Sequence, residues 1–301
     1  MMSKPNFFIV GAPKCGTTAL SEYLRDHKNI FVSTPKEIHY FATDFPKYRR
    51  VVTEQDYLAL FDNATKEHFA IGEASVFYLY SQTAIKNISQ FNKDTKIIIM
   101  LRNPIELAYS MHSQLVYGHD EDETDFYKAW ELIKNRKKGQ NIPKKCREQK
   151  FLYYDDIAKL GQQLKQVLEV IPKERILVLF SEDFFGDTLH VYKEVLKFLG
   201  VPDDNRQDFP KFNQNKYHKL AWLGSLTQRP PKKFVNVVLK LKNAFGIEKL
   251  SVLRTLRSIN SKQAKRKPLE KEFKQKLKTE YSNDIATLSK LTGRDLTHWL
   301  E

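Results

Sequence analysis

A short polar stretch near the start of the chain has the residue types of an anion-binding loop. It spans residues 11–18 (Gly-Ala-Pro-Lys-Cys-Gly-Thr-Thr), between an apolar run and a segment whose apolar residues have helical spacing. At such a place backbone N–H groups and the positive end of a helix hold an anion, and the glycines let it approach closely. The stretch is not a Walker A motif, because Thr17 stands where that motif has its lysine, and the only lysine, Lys14, comes three residues earlier. The sequence therefore predicts an anion site and disfavours metal-assisted ATP chemistry.

A second candidate anion site follows another apolar strand. Residues 96–101 (Lys-Ile-Ile-Ile-Met-Leu) are followed directly by Arg102, Asn103 and Pro104. A planar guanidinium such as that of Arg102 can grip a terminal phosphate through two parallel hydrogen bonds. Ser110 lies on the helix expected after Pro104 and can donate one more hydrogen bond. Two strand ends therefore carry cations, which suits a ligand with anionic groups at both ends.

These two motifs resemble those of the sulfotransferases that use 3′-phosphoadenosine 5′-phosphosulfate (PAPS). In that family a Lys before Gly-Thr-Thr or Gly-Ser-Thr marks the 5′-phosphosulfate loop, and a buried strand ending in Leu-Arg-Asn/Asp-Pro, with a Ser on the next helix, marks the 3′-phosphate site. The resemblance covers roughly residues 6–202. It implies a P-loop-like sulfotransferase fold, PAPS as the sulfuryl donor, adenosine 3′,5′-bisphosphate (PAP) as the product, and no required metal. It also implies the nucleotide-binding residues Lys14, Cys15, Gly16, Thr17, Thr18, Arg102 and Ser110.

Residues 35–41 (Pro-Lys-Glu-Ile-His-Tyr-Phe) place a carboxylate and an imidazole two positions apart. In an extended segment Glu37 and His39 point to the same side and can serve one site. Sulfuryl transfer to an alcohol needs the hydroxyl proton removed and a cation near the leaving phosphate oxygen. We expect Glu37 to be the general base, Lys14 to stabilise the leaving group, and His39 to orient the base or transfer a proton. The segment is similar to Lys-Glu-x-x-Phe-Phe of heparan-sulfate-type sulfotransferases, whose Glu is the base.

Other polar residues bear on the acceptor. Ala74 stands where the heparan-sulfate-type enzymes have a lysine that helps to bind sulfate and acceptor, so a polysaccharide acceptor is not required. His112 is a rival base, although at its helical position we expect a packed or exposed histidine. Residues 119–125 contain five acidic side chains. We expect them to form a solvated loop, which at the edge of an acceptor pocket would favour a cationic acceptor.

The elements that position these residues alternate between strand and helix. Apolar runs at residues 6–10, 70–72, 96–101 and 175–180 indicate buried strands, and helical spacing appears at 17–27, 54–61, 105–117, 157–170 and 188–199. This order predicts an α/β fold, a doubly wound parallel sheet with helices on both faces. Ligands then bind at the carboxyl ends of the strands, where both candidate anion sites lie. We expect residues 1–301 to form a single sulfotransferase domain, with a basic and largely helical C-terminal region at about 220–301.

The composition excludes several classes of protein. A hydrophobic fraction of 41% in 301 residues supports a sizeable core, and the longest aliphatic run, residues 97–101, is too short to span a bilayer. The N-terminus runs into a strand-like segment that is too short for a secretory signal. Cys15 and Cys146 offer neither a disulfide framework nor a CxxC metal spacing. We therefore expect a cytoplasmic protein.

The net charge of +14 favours an anionic partner. Sixteen basic and only three acidic residues lie between Arg229 and Lys278. We expect them to form a solvated cationic helix face that binds nucleic acid only non-specifically. Residues 216–219 fall where the sulfotransferase family has a flexible loop that closes over the nucleotide.

The preferred function is transfer of the PAPS sulfuryl group to a hydroxyl or amine of a small-molecule acceptor, in a bacterial enzyme of specialised metabolism. The overall pattern resembles that of cyanobacterial saxitoxin-type sulfotransferases, and the acidic loop would suit that cationic alkaloid. A glycan or lipid-linked sugar is the alternative acceptor. A P-loop nucleotide kinase and a basic nucleic-acid-binding protein are the alternatives of other classes.

Overall fold

The computed structural model describes residues 4–210, the backbone of 216–218 and 261–263, and residues 266–301. Its centre is a five-stranded, all-parallel sheet with the strand order β2-β3-β1-β4-β5. The strands are Phe7–Gly11 (β1), Ile30–Val32 (β2), Ala70–Ala74 (β3), Lys96–Leu101 (β4) and Ile176–Phe180 (β5). The predicted parallel α/β fold is confirmed.

Helices connect and cover these strands. They are Thr17–Arg25 (α1), Glu54–Ala59 (α2), Ala84–Phe91 (α3), Pro104–Tyr117 (α4), Phe126–Glu131 (α5), Ile133–Lys137 (α6), Tyr154–Ile157 (α7), Leu160–Leu168 (α8), Ser181–Gly186 (α9), Thr188–Leu199 (α10) and Lys271–Thr292 (α11). The connection from β1 to β2 runs one way along the sheet and those from β3 to β4 and from β4 to β5 run the other way. Because crossovers between parallel strands are right-handed, helices lie on both faces.

The direction of the connections changes at β1, whose neighbours are β3 and β4. All residues of β1 and β3 are buried, as are the last five of β4, which explains why β1 and β4 are almost continuously apolar. The carboxyl ends of β1 and β4 therefore lie side by side at a switch point of the sheet. This is the position at which open α/β sheets bind their ligands.

Several element bounds differ from the sequence-based ones. The helix predicted at 157–170 corresponds to the shorter α8, because α7 ends at Ile157, and the short edge strand β2 was not predicted. β2 has only three residues, which is too few to show a period, and it is defined by its pairing with β3. None of the described helices is long and apolar enough to span a membrane.

The C-terminal part of the chain is described in pieces. Lys216–His218 (β6) pairs antiparallel with Ser261–Gln263 (β7), and α11 packs mainly against α8 and α4. Most of the basic stretch that begins at Arg229, and Lys219, lie outside the described residues. The single-domain prediction and the predicted cationic helix face there stay predictions.

Candidate active site

The loop after β1 is shaped by two glycines with positive φ. Gly11 has φ 144°, and a Cβ there would lie 2.6 Å from the Val76 carbonyl oxygen. Gly16 is the N-cap of α1 with φ 95° and makes no side-chain capping bond. The first N–H groups of a helix lack partners within the helix, so the start of α1, with Thr17 and Thr18, offers donors and a positive dipole to an anion. The loop therefore has the backbone conformation and the N–H donors that binding an anion requires.

Lys14 reaches from this loop towards α4. Its Nζ donates to Oε1 of Gln114 at 3.1 Å. Burial lowers the pKa of Lys14, and the nearby positive charges of Arg266 and Arg102 lower it further. A lysine in this state gains from an incoming anion, because the anion offsets both effects.

Cys15 serves packing within the loop. It is fully buried, its Sγ bonds to the Pro13 carbonyl, and burial raises the pKa of its thiol to about 12. Its own carbonyl accepts a bond from Ser181 Oγ at 3.2 Å, which ties the loop to α9. Any contact of Cys15 with a ligand is therefore made by its backbone.

Arg102 lies directly beside the loop. Its Nη1 donates to the Lys14 carbonyl oxygen at 3.3 Å, and its other side forms an ion pair with Glu106 on the next turn of α4. Ser110 is buried two turns into the same helix, and Gln114 follows it by one turn. The structure thus brings Lys14, Arg102 and the α4 residues to one edge of the sheet.

Arg266 is a cation of this site that sequence reasoning missed. Its guanidinium lies over the ring of Tyr109, 5.2 Å from the ring centroid. Its Nη1 is buried and has no hydrogen-bond partner among the described residues. Burial and the charge of Arg102 lower its pKa. An unpaired guanidinium nitrogen beside Lys14 and Arg102 is what an anionic ligand would satisfy. Arg266 is far along the chain from the other motifs, so no pattern of neighbouring residues linked it to this site.

Glu37 is connected to the anion loop by a neighbouring lysine. Lys36 Nζ lies 3.1 Å from Glu37 Oε1 and 3.5 Å from Thr17 Oγ1. Burial alone would raise the pKa of Glu37, but the charges of Lys36 and Arg50 hold it below its usual value. The carboxyl is therefore ionised at neutral pH, with 40% of its side chain exposed. Sequence reasoning named Lys36 only as part of the motif; its neighbours Glu37 and Thr17 show that it belongs to the site.

In an extended segment Glu37 and His39 would point to the same side. Here the His39 side chain does not lie on the exposed side of Glu37. Both residues have left-handed backbones, with φ 63° at Glu37 and 54° at His39. The His39 ring is buried and stacks on Phe77, with 5.4 Å between ring centroids, and its Nδ1 lies 3.1 Å from the Glu37 carbonyl oxygen. Burial lowers its pKa to about 4, so the ring is neutral. His39 contacts the backbone of Glu37, and its role stays a prediction.

His112 is a packed histidine. It is buried, its Nε2 lies 2.9 Å from the Glu123 carbonyl oxygen, and its ring contacts Phe126 and Tyr154. Burial lowers its pKa. These contacts are structural, and of the two positions expected for His112, packed or exposed, the structure shows the packed one.

The acidic segment 119–125 is solvated only in part, since Asp122 and Asp125 are exposed whereas Asp120 and Glu121 are buried. Asp120 pairs with Arg147 at 2.7 Å, and Glu121 forms two bonds with Arg136, at 2.6 and 2.7 Å, with both side chains of that pair fully buried. The arginines that neutralise these acids come from later parts of the chain. Two of the five acids are therefore neutralised within the fold, which weakens the negative field that a cationic acceptor would meet.

The donor set fits a nucleotide with two anionic ends. One end of the site has the N-terminus of α1 with Lys14, and the other has Arg102, Arg266 and Ser110. Within the described residues, no group of three or more His, Cys, Asp or Glu is arranged to hold a metal ion. A parallel sheet with two candidate anion positions at its switch point is typical of nucleotide-binding proteins of the α/β class.

The chain belongs to the sulfotransferase family. The model of the sulfotransferase domain matches residues 4–229, which is most of the chain, and members of this family use PAPS. The chain thus carries a domain of the PAPS-dependent sulfotransferase class.

Relatives and a solved structure agree with this assignment. The chain is 26% identical over 220 residues to the human bifunctional heparan sulfate N-deacetylase/N-sulfotransferase 3, covering 70% of this chain and 24% of that protein. It is 27% identical over 249 residues to mouse carbohydrate sulfotransferase 15, covering 65% of this chain and 44% of that protein. The chain thus spans less than half the length of these two relatives. A sulfotransferase structure from Alicyclobacillus acidocaldarius matches with a TM-score of 0.72 and 27% identity, over 99% of this chain and 100% of that one.

Proposed function

We propose that this protein transfers the sulfuryl group of PAPS directly to a hydroxyl or amine of its acceptor, with Glu37 as the general base. The observation that supports this most strongly is the position of Lys36, within 3.5 Å of both Thr17 in the anion loop and the Glu37 carboxylate. That ammonium group joins the proposed base and the proposed donor site. The carboxylate is half-buried and ionised, so it is in the protonation state that can accept a proton.

The residues that would hold PAPS surround the two strand ends. The N-terminus of α1 and Lys14 would hold the phosphosulfate end, and Arg102, Arg266 and Ser110 would hold the 3′-phosphate. When bound, PAPS supplies an activated sulfuryl group and leaves as PAP.

The chain's own residues handle the proton and the charge. Glu37 accepts the proton of the acceptor hydroxyl or amine as the acceptor's new bond to sulfur forms. Lys14 neutralises the charge that develops on the phosphate oxygen as its bond to sulfur breaks. Atoms and charges balance without a covalent intermediate on the protein.

The charges around Glu37 bear on the acceptor. A small-molecule acceptor such as a saxitoxin-type alkaloid is one proposal, but it drew on the acidic segment, two of whose acids are paired with arginines. Lys14, Lys36 and Arg50 instead place positive charge about Glu37. A neutral or anionic acceptor meets less repulsion there. We therefore place a saccharide hydroxyl or amine ahead of a cationic alkaloid, in line with the glycan names of the two relatives above.

The replacement Glu37→Gln tests the base. We expect turnover with ³⁵S-labelled PAPS to fall about 100- to 10,000-fold, because general-base catalysis contributes about that factor. PAP binding, measured by thermal stabilisation, should stay within a few-fold of wild type. Glu67→Gln, which changes an exposed carboxyl before β3, is the matched control.

The same assay, run with two acceptors, separates the acceptor proposals. An unsulfated glucosamine-uronate oligosaccharide should be sulfated faster than a small alcohol that carries a guanidinium group. Faster sulfation of the guanidinium alcohol would reverse our order of acceptors. Full turnover by the Glu37→Gln protein would remove Glu37 as the base.

A further inference from the structure

The segment that presents Glu37 has an unfavourable backbone. Glu37 and His39 both adopt left-handed φ values, 63° and 54°, and residues 36–41 contain no glycine to make this conformation easy. Non-glycine residues in this region cost free energy and persist only where the surroundings over-determine them. Something must therefore hold this segment in place.

The surroundings that do so centre on a carboxylate the proposed mechanism does not use. Glu73, in β3, is completely buried. Its carboxyl accepts bonds from three hydroxyls: Ser75 Oγ at 2.6 Å, Tyr57 Oη at 2.8 Å and Tyr78 Oη at 2.9 Å. No cation is among the partners of this carboxyl in the described part of the chain.

Two of these hydroxyls also bond to the segment. Ser75 Oγ accepts from the His39 N–H at 3.0 Å, and Tyr78 Oη accepts from the Phe41 N–H at 3.3 Å. A hydroxyl has one proton, so donating it to Glu73 turns the oxygen lone pairs towards the backbone N–H groups. Such chains of hydrogen bonds also polarise each other. The Glu37 N–H itself donates to the Ala74 carbonyl at 2.9 Å, directly beside Glu73.

We propose that Glu73 is a positioning residue for sulfuryl transfer, which through Ser75 and Tyr78 fixes the left-handed turn that presents Glu37 to the acceptor. This inference rests on the proposed role of Glu37 as the base. Burial raises the pKa of Glu73 to about 7, while its three hydroxyl partners act to lower it, so the carboxyl stays sensitive to its neighbours near neutral pH.

Replacing Ser75 by Ala removes the link from Glu73 to the His39 N–H without touching the proposed nucleotide site. We expect turnover with ³⁵S-labelled PAPS and the glucosamine-uronate oligosaccharide to fall about tenfold or more, because small misplacements of a catalytic group are costly. The dissociation constant for PAP should stay within about twofold, since Glu73 and its partners lie on the base side of the site. Amide hydrogen exchange in the peptide 36–41 should become about fivefold faster for one lost hydrogen bond.

A double-mutant cycle distinguishes positioning from general support of the fold. If Ser75 acts through Glu37, Ser75→Ala should cause almost no further loss of turnover in a Glu37→Gln background. Equal losses in both backgrounds would overturn the proposal. Tyr78→Phe, which removes the other link, should repeat the result, and it decides the question if the Ser75 variant does not fold.

The control is Tyr154→Phe, which removes a hydroxyl donor from a second buried glutamate, Glu121. Turnover and exchange at 36–41 should match wild type in that variant. If Glu37→Gln is inactive while the Ser75 and Tyr78 variants are fully active, the positioning role fails and the proposed base stands. If Glu37→Gln keeps full turnover, the proposed base itself is wrong.

Discussion

Glu73 and Glu121 are both fully buried carboxylates, yet their partners differ in kind. Glu121 faces the guanidinium of Arg136 through two bonds and also accepts from Tyr154. Glu73 faces three hydroxyls. Burial raises the pKa of both groups, but Arg136 and Tyr154 bring that of Glu121 below its usual value, whereas that of Glu73 ends at about 7.

The difference shows what each partner can offer. A buried ion pair locks both charges, since neither can lose its partner without leaving an uncompensated charge in a low dielectric. Hydroxyls satisfy the lone pairs of a carboxylate but supply no full positive charge. The carboxyl can therefore still bind a proton near neutral pH. Glu121 therefore joins segments of the fold, and Glu73 forms an adjustable support next to the turn that carries Glu37.

Replacing each glutamate by glutamine should separate the two roles most strongly. Glu121→Gln leaves the Arg136 charge buried without a counter-charge, and we expect a loss of about 3–5 kcal/mol in the free energy of unfolding. Glu73→Gln strands no cation, so its loss should be about 1–2 kcal/mol. Urea denaturation at pH 7 measures both.

Turnover per folded molecule should show the opposite order. Glu73→Gln should lower it, because the donors that fix the segment at Glu37 lose part of their acceptor, while Glu121→Gln should leave it near wild type. Equal stability losses for the two variants, or unchanged turnover in the Glu73 variant, would contradict this comparison.

The two carboxyls should also give opposite pH dependences of stability. The pKa of Glu73 rises from about 4.5 in the unfolded chain to about 7 in the folded one, so the folded protein holds an extra proton between these values. Stability therefore falls as pH rises through this window, by about 3 kcal/mol relative to Glu73→Gln. The contribution of Glu121 is present above its unfolded pKa and is lost only as pH falls below it.

Unfolding free energies of wild type and Glu73→Gln, measured at intervals from pH 4.5 to 8, test this slope. The difference between the two proteins should change through the window and become constant above about pH 7. A constant difference across the whole range would show that Glu73 does not hold its extra proton.

The parts of the site that sequence predicts are those set by local signals. Strand ends, glycines and a proline predicted that the loop after β1 and Arg102 lie at neighbouring strand ends, because these positions depend on residues next to them in the chain. The bounds of β4 were predicted to the residue, since a continuous apolar run marks a strand buried on both faces.

The parts that sequence missed depend on distant partners. Glu121 looked solvated because Arg136 follows it by 15 positions and nothing in the spacing pairs them. The sequence predicted an extended segment at Glu37, because no residue next to it indicates a turn. Its left-handed backbone is held by Ser75 and Tyr78, which come from another strand-end loop. Arg266 reaches the site from the far end of the chain.

The smallest expected effect comes from trimming one hydroxyl at each glutamate. Tyr57→Phe and Tyr154→Phe each remove one hydrogen bond to a buried carboxyl and should each cost about 1 kcal/mol. At Glu73 the lost donor stabilised the charged form, so its pKa should rise and the cost should grow as pH rises from 5 to 8. At Glu121 the Arg136 pair keeps the carboxyl ionised throughout, so the cost should not vary over that range. Urea midpoints for both variants across these pH values test the contrast, and parallel curves for Tyr57→Phe and wild type would mean that Glu73 is held no differently from Glu121.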